Sequence, residues 1–428
     1  MPTRAQTVVR LGALLLAAGA TSAAVGQGSP ATSRSEQAPV ELLLPPVGLR
    51  ARDVALVIND ADAASRAIGA YYASRRGIAP DHVVHVSFAG EQAAMTLADF
   101  RRIEAEVRAR LPADVQAFAL AWTQPYRVEC MSVTSAFAFG FDPAFCAEGC
   151  EPTKVSPYFN TQGSSPYTDH HLRPAMLLAG IDADGVRRLI DRGLRSDERW
   201  PAGTAYLVST GDHKRNVRAE GYPRTRLVLG AAYPIQQVES DALENKPDVM
   251  FYFTGVQRVA AMRSNRFLDG AIADDLTSFG GVLSGSSQTS ALEWLAAGAT
   301  GSYGTTSEPC NFRAKFPEPA VVMAHYLSGE TLLEAYWKSV LMPGQGVFVG
   351  DPLARPFGGV RITRSDTGIT IETRSLEPGL YVLQAAQSSV GPFRPIAELV
   401  VRDFGVQKMT VPAGEHQFLR LLRADHSR

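Results

Sequence analysis

The feature that most constrains this chain is a repeated alternation over residues 53 to 340. Short apolar runs, each long enough for one strand, are followed by stretches whose apolar residues recur at helical spacing. The first run is Val54-Ala55-Leu56-Val57-Ile58. A run that is apolar at every position suits a strand covered on both faces, as in a parallel sheet. Asp60-Ala61-Asp62 then supplies a polar turn with a helix-capping residue, and Ile68, Tyr71 and Tyr72 follow at helical spacing until Gly77 and Pro80. His82 to Phe88 reads as the second strand of a βαβ unit.

The pattern continues. Leu97 to Leu111 reads as a helix, Val115 to Trp122 and Met176 to Ala179 as strands, Asp184 to Leu194 as a helix, and Thr204 to Thr210 and Val249 to Thr254 as strands. Phe267 to Leu276 reads as a helix, Gly281 to Ser284 as a strand, Ser290 to Ala297 as a helix and Thr300 to Thr305 as a strand. Val321 to Leu327 and Thr331 to Val340 read as helices. The expectation is an α/β fold: an open, mostly parallel sheet sandwiched by helices, in two subdomains at 51–200 and 201–358. From Val360 the texture changes. Ile371 to Thr373, Gly379 to Ala385, Ile396 to Val401 and Gln417 to Leu422 are short strand-like runs between turn residues. They predict a small β-sandwich-like domain over 359–428, with a β extension of the main sheet as the alternative.

The N-terminus reads as an address. Arg4 and Arg10 precede an apolar run, Leu11 to Ala20, that ends in small residues. This is the pattern of a secretory signal peptide, here 1–26, and the run is too short to span a bilayer. Residues 27–50, rich in Ser, Pro and Ala, read as a linker. Export, to the periplasm or the medium, permits disulfides. Cys146 and Cys150 flank a short polar loop and are expected to pair, leaving Cys130 with Cys310 by exclusion. Hydrophobic residues at 45% and charged residues at 20% exclude wholesale disorder. Lys plus Arg at 42 against Asp plus Glu at 43 gives no electrostatic case for a nucleic-acid binder. The partner expected is a protein, peptide or surface ligand, with no cofactor or metal.

In open α/β sheets, ligands bind beyond the carboxyl ends of strands. The loops so placed hold Asp62, then Trp122 and Tyr126, then Asp212 and His213, then Thr254, then Ser284, Ser286 and Ser287, and then Glu308. Ordinary roles are open for each: Asp62 as a cap, Trp122 and Tyr126 as packing, Asp212 and His213 as a solvated turn, the serines as a polar loop. Ser286 does not stand in a G-x-S-x-G elbow. Asp169-His170-His171 is a polar triplet, but adjacent His residues on a strand point to opposite faces, so joint chelation needs a loop. No Walker loop, zincin helix, EF-hand or Rossmann glycine fingerprint is present.

Several segments together resemble the gingipain-type cysteine peptidases, which share the caspase-like fold. They are Val54 to Gly77, the helix at 97–111 leading into Phe118-Ala119-Leu120-Ala121-Trp122, Met176 to Ala183, and Gly350-Asp351-Pro352-Leu353. Tyr71 to Ile78, Leu276 to Gly281, Gly301 to Thr305 and Glu308-Pro309-Cys310-Asn311 are similar to a family of exported bacterial proteins, which brings no activity with it. The peptidase resemblance implies a His beside Gly after one strand and a nucleophilic Cys after the next, because the imidazole assists proton transfer while the thiolate attacks. Here those positions read Phe253-Thr254-Gly255 and Leu283-Ser284-Gly285. The dyad is unmatched. The expectation is therefore a binding or structural role, with a diverged hydrolase as the alternative. That hydrolase would use Ser284, Ser286 or Ser287 with Asp212, His213 or Glu308 nearby, or the Cys310 thiol.

Overall fold

A computed structural model describes residues 7–9, 41–44, 47–147, 150–366, 368–412 and 418–424. Its body is a ten-stranded sheet flanked by helices. In chain order the strands are β1 (Val54–Asn59), β2 (Val83–Val86), β3 (Ala117–Leu120), β4 (Ala175–Leu177), β5 (Thr204–Ser209), β6 (Ile235–Glu239), β7 (Val249–Thr254), β8 (Phe267–Asp275), β9 (Gly301–Thr305) and β10 (Gly346–Gly350). Across the sheet they lie in the order β2-β1-β3-β4-β10-β9-β8-β7-β5-β6. All neighbours are parallel except β9 and β10, where Gly301 faces Gly350 and Thr305 faces Gly346.

The sheet is thus two five-stranded parallel sets joined back to back. Each set has the doubly wound order 2-1-3-4-5, with β10 as the fifth strand of the first set and β9 as the fifth of the second. Because the sets run in opposite directions, the carboxyl ends of β1, β3 and β4 lie on one edge of the sheet. Those of β5, β7, β8 and β9 lie on the other. Alternate residues of the first set feed two cores, which is why its strands read as continuous apolar runs. Leu56 and Ile58 pack with Ile68 and Tyr72 of the Ala63–Arg76 helix, whereas Ala55 and Val57 pack with Phe100, Ile103 and Val107 of the Leu97–Arg110 helix.

Phe267 to Leu276 is not a helix. It is β8, interior to the sheet between β7 and β9. Leu268, Ala271 and Ala273 carry helical propensity, but burial in the sheet overrides that. Gly270 marks the point: at φ +91° it makes an irregularity that an α-helix does not accept. Gly281 to Ser284 is not a strand either. The Gly280–Gly281 backbone lies so close to that of Gly304 that a methyl group on Gly281 or Gly304 would collide, and the segment turns over the end of β9.

Several phrases that stood out in the sequence are packing devices. Tyr72 and Arg76 both hold Asp351 of the Gly-Asp-Pro turn, and Arg76 also meets Asp197. Arg76 and Asp351 are buried, so this pair locks the first helix to the end of β10.

The C-terminal unit is built of two small sheets around one core. One contains Gly379–Ala386, Arg394–Val401 and Phe418–Arg423; the other contains Val360–Ser365, Gly368–Thr373 and Gln407–Pro412. Ile369, Ile371, Leu383, Leu419 and Leu421 meet between them. The stretch taken as a linker contributes to this unit: Glu41–Leu44 is a strand that pairs parallel with Phe418 to Arg420, burying Leu42, Leu43 and Leu44. Of the expected leader, only Thr7–Val9 lies within the described residues, antiparallel to Leu42–Leu44. Among the described residues no helix is long and apolar enough to cross a membrane.

The disulfides are Cys130–Cys146 and Cys150–Cys310, not the expected pairs. Closeness in sequence misled. The turn of the 127–132 hairpin carries Cys130 to the end of the Pro143–Phe145 turn, with Cα atoms 5.7 Å apart. Ser307 donates to the Cys130 carbonyl, so the loop after β9 lies against the same hairpin, and this loop presents Cys310 to Cys150.

Candidate functional site

In a doubly wound sheet the crevice forms where the strand order reverses. Each set has one such point. In the first it lies between β1 and β3, in the second between β5 and β7. The expected site loops therefore divide between two opposite edges of the sheet.

At the first edge is a cleft of about 390 Å³ lined by Asp62, Trp122, Gln124, Asp182, Ser284 and Leu292 among others. Its polar groups are occupied by the fold. The Asp62 carboxylate caps the Ala63–Arg76 helix by accepting from the Ala64 N–H. Trp122 is buried and donates Nε1–H to the Pro125 carbonyl at 3.1 Å, and Tyr126 is buried too. Ser284 Oγ accepts from Gln124 Nε2. Ser286 Oγ donates to the Phe279 carbonyl at 3.2 Å and accepts from the Gln288 N–H, shaping its own loop. Ser287 is exposed and its carbonyl accepts from Arg258. Among the described residues no His or carboxylate hydrogen-bonds any of these three hydroxyls.

At the second edge is a cleft of about 240 Å³ lined by Lys214, Arg215, Thr277, Ser278, Glu308 and Asn311 among others. Asp212 accepts from the backbone N–H groups of Lys214 and Arg215 and pairs with the Arg215 guanidinium at 2.9 Å. Arg215 Nε also donates to Thr277 Oγ1 at 3.1 Å, and Thr277 in turn donates to Gln288 Oε1 at 2.7 Å. Glu308 accepts from Ser278 Oγ at 3.0 Å and from the Cys310 N–H at 2.7 Å. His213 is exposed on the rim. Thr254, Asp212 and Glu308 are thus brought to one edge, and Ser284 is left at the other.

Beneath this cleft lies a charged layer that strand-by-strand reading missed. Arg218 and Asp274 form an ion pair at 2.5 Å, 2% and 0% exposed. Arg218 also donates to the Pro317, Thr254 and Asp274 carbonyls. Burial raises the Asp274 carboxyl and the Arg218 guanidinium pulls it back. A guanidinium keeps its proton in proteins, so the pair is ionic. Asp275 is pushed up to about 7, chiefly by burial, against the opposing pull of the Val256 N–H and Arg218. Its second oxygen and the Thr254 hydroxyl have no hydrogen-bond partner among the described residues. The signal was present as Asp274-Asp275 at the end of a run, but reading that run as a helix hid it.

The neighbour of β7 in the sheet ends at Asp275, and Thr254 pairs in register with it. Thr254, where the peptidase resemblance expects the His, is 1% exposed, and Asp275 beside it is 2% exposed; Ser284, where it expects the Cys, lies in the cleft at the opposite edge of the sheet. Cys310, the remaining thiol candidate, is in a disulfide. Asp169, His170 and His171 close a short helix; the His170 ring packs 5.7 Å from that of Tyr158, and His171 takes the left-handed cap at φ +58°.

No family model, no curated protein and no solved structure matches the chain.

Proposed function

We propose that the chain is an exported binding protein on a caspase-like scaffold without the peptidase dyad, and that its ligand sits in the cleft at the carboxyl edge of β5, β7, β8 and β9. The observation that supports this reading is that the two expected dyad positions do not converge: Thr254 is buried at one edge of the sheet and Ser284 lies at the other. A nucleophile needs an adjacent base and access to the substrate. Thr254, buried, gives a substrate no such access.

The cleft itself has opposed charges, with Lys214 and Arg215 on one side and Glu308 on the other. Such a wall suits a polar ligand with a carboxylate and an amine, and a short peptide end has both. A fluorescence-polarisation titration with a pool of labelled short peptides tests this. Saturable binding that Arg215→Ala weakens at least about tenfold, a loss of ~1.4 kcal/mol, is expected. Binding that ignores Arg215→Ala, or none to any peptide, would overturn it.

One contact favours the hydrolase alternative: Ser278 Oγ on Glu308 at the mouth of the cleft. Peptide cleavage lost in Ser278→Ala would select that reading.

A further inference from the structure

A second cluster of chemistry-bearing side chains lies where the body meets the C-terminal unit, far in sequence from the loops above. The body supplies His325 at the end of the Pro319–Leu327 helix, Glu330 from the link that follows and Lys338 from the Leu332–Ser339 helix. The C-terminal unit supplies Glu377, from the loop before its Gly379–Ala386 strand. Glu330 is 2% exposed, His325 and Lys338 are buried, and Glu377 is half-buried.

The contacts within this cluster are uneven. Glu330 Oε1 accepts from Lys338 Nζ at 2.8 Å and lies 3.0 Å from His325 Nδ1. Lys338 Nζ is completed by the Gly163 carbonyl at 2.8 Å. Glu330 Oε2, by contrast, is buried with no hydrogen-bond partner among the described residues. A buried carboxylate oxygen ordinarily has a partner. The other ring nitrogen of the imidazole, Nε2, faces Asn160 Oδ1 at 3.2 Å. In the tautomer that carries its N–H on Nε2, Nδ1 presents a lone pair on the Glu330 side and is able to ligate. Two carboxylates, Glu330 and Glu377, meet Lys338 and Arg423, the latter 2.9 Å from Glu377.

We propose that His325, Glu330 and Glu377 bind one divalent transition-metal ion that ties the α/β body to the C-terminal unit. One nitrogen and two carboxylate oxygens suit Zn²⁺ with a water in the fourth place. Donors held about 2.0–2.1 Å from a tetrahedral ion stand roughly 3.3 Å apart. The three donor atoms here lie within 4.8 Å of one another, so a small closing motion of Glu377 completes the set. Asn160 is the positioning residue of this site: with Nε2–H donated to its oxygen 3.2 Å away, Nδ1 is left to the ion. All four cysteines are in disulfides, so no thiolate competes for the ion.

The experiment uses the full chain stripped with a chelator, dialysed and titrated with ZnCl₂ by calorimetry, with metal content measured after desalting. One Zn²⁺ per chain, bound in the low micromolar range or tighter, is expected, together with a higher unfolding temperature. Glu377→Ala, placed in a surface-facing loop, is expected to weaken binding more than about 10-fold, and Asn160→Ala by about 10- to 100-fold. Circular dichroism checks that both variants are folded. No saturable binding by the native chain, or native affinity in folded Glu377→Ala, would overturn the site.

Discussion

The two switch points of the sheet invite comparison, because they share a strand order and differ in chemistry. At the first, Asn59 ends β1 fully buried, and its side chain is used up. Nδ2 donates to the Phe88 carbonyl, while Oδ1 accepts from the Phe88 and Ala61 N–H groups. At the second, the buried groups include an ion pair and are incompletely paired: Arg218 Nε, Thr254 Oγ1 and Asp275 Oδ2 have no partner among the described residues. A neutral, saturated polar group rigidifies a loop, whereas an unsaturated charged layer under a cleft stores unfavourable desolvation that a ligand can relieve. The comparison teaches that a shared topology supplies two places for a site, and that polar satisfaction tells them apart.

Four perturbations break or sharpen this contrast. The largest effect is expected from the bridge that staples the two strand sets. Cys150–Cys310 spans 160 residues against 16 for Cys130–Cys146. Chain entropy puts the two at roughly 5 and 3 kcal/mol. Urea unfolding of each double-alanine variant should therefore show the greater loss for Cys150 and Cys310, and peptide mapping without reduction should recover these two pairings.

Next comes Arg218→Ala, which strands Asp274 as an uncompensated buried charge. It should cost about 3–5 kcal/mol, while Arg218→Met with Asp274→Leu should recover most of that loss. Denaturant midpoints of the single and double variants measure both.

Asp275 gives a pH signature. Its folded value near 7 lies above its unfolded value near 4, so the native state binds the extra proton between them. Stability is accordingly greatest below about pH 4 with respect to this group, falls as pH rises through about 7, and is flat beyond. Asp275→Asn should remove that slope and stabilise the chain at pH 8 by about 2–4 kcal/mol relative to the native residue. Unfolding free energies at pH 5 and pH 8 check the sign.

The smallest effect belongs to the first switch point. Asn59→Ala should cost about 1–3 kcal/mol, the price of orphaning the Phe88 groups, with no pH slope. Thermal melts at the same two pH values read it.

Most of the fold was legible in the sequence because fully buried strands leave continuous apolar runs. Val54 to Ile58 and Val249 to Thr254 are β1 and β7 with their expected places. What was not legible had competing local signals. Phe267 to Asp275 has an ambiguous local signal, with Leu268, Ala271 and Ala273 among strand-poor Asp and Gly, and its position between two strands makes it a strand. The Gly346–Gly350 strand, short and bounded by glycines, went unread, and with it the reversal of direction that splits the site loops. The disulfide pairs depend on three loops meeting in space, which spacing does not encode. Of the candidate site, Asp212, Thr254 and Glu308 were placed on the right strands' ends. Arg218 was hidden in a short turn before a helix, and Asp275 at the end of a strand read as a helix.

The central claim is that this scaffold binds and does not cleave. Its most direct test is mass-spectrometric profiling of a diverse peptide library incubated with the purified, unreduced chain from pH 5 to pH 8. The account predicts an unchanged library at every pH. New termini that appear with the native chain and vanish with Ser278→Ala or Asp275→Asn would contradict it.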